Sequence, residues 1–343
     1  GVSGDFDGQR TEAEIEVLVW ADIVQGSMGQ SIPATYAQLA RTAWAYIGSG
    51  ALMRLMRLRR GPVIAALYPV AVLLAQLLVA MLAGWGIGAV LGWLTGLGWW
   101  ITLPIMLAVT WAGLVQWRRI DGKIFAYYLM HDYAFTAQHQ GAYPPALEAR
   151  LAQFSDRIAE VLADGWDEVL VVGHSSGAYL GVSVLADLIR SGRVPQGAAL
   201  SFLTLGHVVP MASFLPGANR LRADLRDLSA RPELDWIDVT APGDACSFGL
   251  CDPVTVSGVE PLDRRQPLIL SAAFTRTLSP QKQRELRGRW FRLHFQYLCA
   301  FDQPRDYDYF AITAGPVPLG QRFAGRSHSP GRIARPVNTW TAT

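Results

Sequence analysis

Charge is missing from one long part of this chain. From Gly61 to Trp117 there is no Asp, Glu, Lys or Arg. Lysine is nearly absent throughout: Lys123 and Lys282 stand among 30 basic residues, and arginine supplies the rest. That bias reflects a GC-rich coding sequence rather than a function. Cysteine is scarce as well. Cys246, Cys251 and Cys299 have no metal-ligand spacing, so free apolar thiols in a reducing compartment are expected, with a local Cys246–Cys251 disulfide as the alternative. A net charge of +2, with no dense basic stripe beyond the flanks of the uncharged part, argues against a nucleic-acid partner. No signal peptide and no internal repeat are visible. The chain begins at Gly1 rather than Met, an expected sign of residues removed or omitted ahead of it.

What is present is apolar: 51% of the 343 residues are hydrophobic and 12 are Trp. The uncharged part is long enough for two bilayer crossings of about 20 residues each. They are expected near 63–82 and 99–115, with the turn in the Gly/Trp-rich 84–100. Trp85, Trp93, Trp99 and Trp100 suit the polar–apolar boundary. Arg54, Arg57, Arg59 and Arg60 precede the hairpin, and Arg118, Arg119 and Lys123 follow it, so both ends are expected on the cytoplasmic side. A re-entrant hairpin and a buried core hairpin are the alternatives. Residues 36–60 repeat apolar side chains at three and four, which fits an interfacial helix or a core-facing one equally.

The remainder alternates strands and helices. Strands are expected at 14–22, 168–172, 198–206, 234–241 and within 288–298; helices are expected at 146–162, 177–189 and 219–228. This order implies one doubly wound, mostly parallel α/β sheet interrupted by a transmembrane hairpin. The divisions are 1–60 and 118–315 for the α/β domain, 61–117 for the hairpin and 316–343 for an irregular Pro/Gly/Arg-rich tail.

One turn carries chemistry. "VLVVGHSSGAYLG" runs an apolar strand into Gly173-His174-Ser175-Ser176-Gly177 and directly on into an apolar helix. A nucleophile on such a tight turn is strained, is raised above the sheet edge and sits at the positive end of the helix. A lone serine hydroxyl is too weak an acid to attack a carbonyl at neutral pH. It needs a base, and the base needs a carboxylate to fix its tautomer. Asp244 follows a strand in "DVTAPGDACSFG" and is the preferred acid, with Asp252 as the alternative. His294 in "RLHFQYL" is the preferred base, with His328 as the alternative, while His174 and His207 are expected to line the cleft. The Ser176 N–H is one oxyanion donor.

The order of "GHSSG", "FLTLG", "APGDACSFG" and "HFQYL" resembles the α/β-hydrolase superfamily over 14–22 and about 146–298. With "YDYFAITAGP" close behind, it is similar to bacterial membrane-associated α/β hydrolases of unassigned substrate. The resemblance implies a Ser-Asp-His hydrolase with no metal or organic cofactor, held at the cytoplasmic face of a bacterial inner membrane. Its partners would be the bilayer and a lipid or acyl ester, although a thioester or amide would need the same triad. One departure stands out. The superfamily draws its second oxyanion donor from a loop ahead of the 14–22 strand, and thirteen residues are too few to supply it. Residues ahead of Gly1, a donor from elsewhere, or poor catalysis would account for this. A catalytically silent membrane subunit on the same fold is therefore the second expectation.

Overall fold

The computed structural model describes residues 1–6, 8–28 and 31–343. The chain forms two units. One comprises Gly1–Trp20, Tyr46–Val63 and His139–Thr343; the other comprises Ala21–Ala45 and Ile64–Gln138. In chain order the elements used below are β1 (Val2–Phe6), β2 (Gln9–Ala13), α1 (Ile32–Gly48), α2 (Arg60–Thr95), α3 (Trp99–Arg119) and α4 (Ala126–Ala137). They continue as α5 (Pro145–Ala163), β3 (Val169–His174), α6 (Ser176–Arg190), β4 (Leu200–Leu205), α7 (Asn219–Ala230), β5 (Leu234–Thr240), α8 (Pro253–Val256), β6 (Leu268–Ser271) and α9 (Trp290–His294).

In the helical unit, α2 runs for 36 residues and α3 for 21. At 1.5 Å per residue α2 is about 54 Å long, against about 30 Å of bilayer hydrocarbon. Both helices are long and apolar enough to cross a membrane, with mean hydropathies of 2.4 and 1.4. The turn is shorter than the sequence suggests, because α2 continues through Gly84, Gly88 and Gly92. These glycines form a stripe against α3. A Cβ on them would come within 2.7 Å of Met106 O, 2.6 Å of Thr102 O and 2.5 Å of Gly98 O. Their role is close backbone approach, as in small-residue helix contacts in membranes, rather than chain reversal. Thr102 Oγ1 donates to Gly88 O at 3.1 Å across the same seam.

This unit also takes in more than the uncharged run. Leu39, Leu73, Ala126, Tyr127, Met130 and Ala134 pack as one cluster, joining parts of α1, α2 and α4. Asp121 accepts from the N–H groups of Ala126, Tyr127 and Tyr128, satisfying the free donors at the start of α4.

Residues 36–60, which the boundary between the two units divides at Ala45, are not one helix. Gly50 at φ 71° separates α1 from the helix Ala51–Leu58. Ala51, Leu55 and Leu58 are buried, and Arg59 donates to Gly249 O, so this second half faces the core. The four-stranded sheet is parallel throughout, in the order β3-β4-β5-β6. The order never reverses, so the sheet is not doubly wound. Helices α5, α6, α7 and α8 pack on one another in sequence as a single layer. Phe202 on β4 points into that layer, where Gly181 of α6 leaves room for its ring: a Cβ there would meet it at 2.7 Å. The alternate residues Leu203 and Leu205 face the opposite side. That side is covered by Phe274, Tyr297, Phe301, Tyr307, Ile312, Leu319 and Phe323 rather than by crossover helices.

Three further expectations change. Residues 14–20 form no ladder, and a helix, Ala21–Met28, starts inside the expected strand. The segment instead lies along α5, where Arg150 donates to Val19 O and Arg157 pairs with Glu16, leaving Ile15, Val17 and Val19 exposed. Residues 290–298 are helical, not a strand. Leu293, His294, Tyr297 and Leu298 turn inward at helical spacing, and the last strand is the short apolar β6. The tail is irregular but not detached. His328 Nδ1 accepts from Ile269 N–H and Ser329 N–H donates to Ile269 O, so the tail covers the β6 edge.

Candidate active site

Ser175 joins β3 to α6 at φ 56° and ψ −116°, a conformation L-residues avoid at a cost of about 1–3 kcal/mol. Its N–H donates to Leu205 O at 2.9 Å, which fixes the turn to the end of β4. Gly173 is needed for this turn: a Cβ there would lie 2.6 Å from Gly177 O. Gly177 faces open space, so only the first of the two flanking glycines is required for packing. Ser176 opens α6, so its N–H has no partner within the helix and sits at the positive end of the dipole.

Asp244 lies in the turn after β5, with its N–H bonded to Ala241 O at 3.0 Å. Its carboxylate is buried and accepts three hydrogen bonds. Cys246 N–H reaches Oδ1 at 2.9 Å, and His294 Nδ1 and Tyr297 Oη reach Oδ2 at 2.8 and 3.0 Å. Burial pushes the Asp244 carboxyl up, but the His294 hydrogen bond and charge, together with the Cys246 and Ser247 donors, outweigh it and hold the group below the usual carboxylate range. Tyr297 stays a neutral donor, because burial and then the Asp244 charge raise its phenol well above normal.

His294 ends α9 and is buried. Its Nδ1 is committed to Asp244, which leaves Nε2 as the free nitrogen. A Cβ on Gly206, the residue after Leu205, would lie 3.2 Å from His294 Cε1, so the imidazole stands over the end of β4, the same strand end whose Leu205 O accepts from Ser175 N–H. Among the described residues the Ser175 hydroxyl hydrogen-bonds to no other side chain. His174 packs against the His294 ring at 4.6 Å and donates from Nε2 to His294 O at 3.0 Å. Burial and the neighbouring His294 push His174 down to about 4, so it is neutral at physiological pH.

Three other residues stand apart from this cluster: His207, expected to line the cleft, and the alternatives His328 and Asp252. His207 is fully buried rather than cleft-lining. Its Nε2 donates to Cys251 O at 2.9 Å and stands 3.8 Å from Asp238, whose carboxyl burial pushes up to about 6. His328 is held at the β6 edge. Asp252 caps α8 and pairs with Arg264. All three cysteines are free thiols. Among the described residues no group of three or more His, Cys, Asp or Glu gathers as a metal site.

Tyr297 was hidden in the sequence. Three residues from His294, it would occupy the opposite face of a strand, but on a helical turn it joins the same face. Tyr297→Phe removes a donor from Asp244 and leaves Ala241 N–H, which the hydroxyl accepts from at 2.8 Å, without its acceptor. Stability is expected to fall by about 1–3 kcal/mol. The depressed Asp244 pKa contributes stability that is fully present above the unfolded value of about 3.9 and is lost as pH falls through the lower folded value. The deficit should therefore be larger at neutral pH than at acid pH, as read by thermal unfolding in detergent. An equal deficit at both would show that Tyr297 does not act through the carboxylate.

Comparison of the chain with protein-family models, with curated proteins and with solved structures finds no match in any of the three.

Proposed function

We propose that the chain is a membrane-anchored serine hydrolase of α/β-hydrolase type, acting on the ester of a lipid or acyl substrate. The observation that carries the reading is the buried Asp244–His294 hydrogen bond of 2.8 Å at the sheet edge where Ser175 is held at positive φ. Ser175 Oγ attacks the ester carbonyl while His294 Nε2 accepts its proton. Asp244 holds the imidazole through Nδ1 and stabilises the imidazolium. Ser176 N–H receives the developing oxyanion. His294 then returns the proton to the leaving alcohol, and water repeats the cycle on the acyl-enzyme. Treatment with a fluorophosphonate should place the adduct on Ser175. Absence of any adduct would favour the second reading, a silent membrane subunit, which the unbonded Ser175 hydroxyl and the lack of an assigned second oxyanion donor both support.

The anchoring reading places both hairpin ends on the cytoplasmic face of a bacterial inner membrane, following the arginines at 54–60 and 118–119. In a Cys299→Ser background, cysteines introduced at Leu97 and Arg119 should react with impermeant maleimide from opposite sides. Reaction from the same side would mean that the hairpin does not cross.

A further inference from the structure

We propose that residues 287–295 are a lipid-contact patch that seats on an anionic membrane surface and opens the His294 site toward lipid. The segment reads Arg-Gly-Arg-Trp-Phe-Arg-Leu-His-Phe. Residues 287–292 are all exposed, and with them Trp290, Phe291 and Phe295 present large rings at 49%, 43% and 52% exposure. Water is a poor neighbour for three such rings within two turns, and exposed large apolar side chains clustered in this way mark a contact surface.

The charges indicate which surface. Arg284, Arg287, Arg289 and Arg292 form no ion pair with a carboxylate among the described residues, so positive charge without a carboxylate partner gathers in this stretch of chain beside the rings. Unpaired arginines interleaved with Trp and Phe match a layer that is anionic at its surface and apolar beneath. The amphipathic indole of Trp290 suits that boundary. The segment is also held in place, since Leu286, His294 and Tyr297 beside it are buried.

The patch and the site share a wall. The Phe295 ring lies 5.0 Å from the His174 ring and 6.0 Å from that of His294. An acyl chain drawn from the surface would meet Phe295 before it meets the imidazole. This entry role rests on the hydrolase reading; the lipid contact itself does not.

The test uses the full chain in nanodiscs, with Cys299→Ser to remove the exposed thiol. A nitroxide at Phe291→Cys should collide with oxygen in preference to a water-soluble nickel chelate when the disc contains phosphatidylglycerol. The same label at Leu262→Cys, fully exposed elsewhere, should prefer nickel. Changing Arg287, Arg289 and Arg292 to Gln should return position 291 to water, with about a fivefold loss of surface partition for each arginine removed. The corresponding three Lys replacements should retain lipid contact and control for folding. Nickel access at 291 equal to that at 262, or shielding from both agents by protein, overturns the proposal. No turnover is measured, so lipid contact at 291 without fluorophosphonate labelling of Ser175 would sink the hydrolase reading alone.

Discussion

Ser175→Ala is expected to lower ester turnover by about a millionfold in kcat while leaving the protein as stable as before. The two halves of that expectation have separate causes. Serine and alanine share a Cβ, so the strain at φ 56° is the same in both. The hydroxyl has no side-chain hydrogen bond to lose, so thermal unfolding should shift by no more than about 0.5 kcal/mol, as for a neutral surface change. Loss of turnover without loss of fold is the mark of a nucleophile. Ser175→Gly sharpens the case: it should be equally inactive yet more stable by about 1 kcal/mol, because glycine adopts positive φ freely. Hydrolysis of a short-chain aryl ester, with mass spectrometry of the fluorophosphonate adduct, reads both variants. Full turnover by Ser175→Ala, or an adduct on Ser176, would remove Ser175 from the chemistry.

The parts of this molecule that local chemistry dictates were legible in its sequence. The run into Gly173-His174-Ser175 reads as a strand entering a tight turn, although β3 lies at the sheet edge and is half-buried rather than buried, and Pro242-Gly243 mark the bend after β5 that carries Asp244. The uncharged part announced two apolar helices, though not that Gly84, Gly88 and Gly92 serve helix contact rather than a turn. Glycine means close approach or reversal, and only the partner backbone decides which. Elements set by tertiary partners were harder to read. The alternation of Ile15, Val17 and Val19 suits a strand, but a ladder needs a neighbouring strand, and this segment meets the arginines of α5 instead. The stretch around His294 has enough aromatic residues for a strand, yet it is helical: His294 and Tyr297 are buried three residues apart, with Leu293 and Leu298 partly buried beside them. That reversal concealed Tyr297 while leaving the choice of His294 over His328 unaffected. The sheet order was beyond reach, since alternating strands and helices are compatible with helices on one face or on both.

His294→Ala is expected to cost about as much turnover as removing the serine, because nucleophile and base act as one unit. Asp244→Asn should cost about 10⁴-fold, by presenting the wrong tautomer of the imidazole. His328→Ala should leave turnover nearly unchanged, since its Nδ1 is occupied by Ile269 N–H at the β6 edge. His207→Ala separates burial from catalysis: it removes a buried hydrogen bond to Cys251 O and should destabilise by about 1–3 kcal/mol, yet the folded fraction should turn over normally. A structural role for His294 would also lower activity when it is replaced, so loss alone does not prove the assignment. Added imidazole does. The alanine leaves a space beside Asp244, where a free imidazole can accept the same carboxylate bond and take the proton from Ser175. Partial recovery in the His294→Ala variant, with none in Ser175→Ala, would identify the missing group as a base. No recovery at any imidazole concentration, in a variant whose unfolding matches the parent, would show that the proton from Ser175 goes elsewhere.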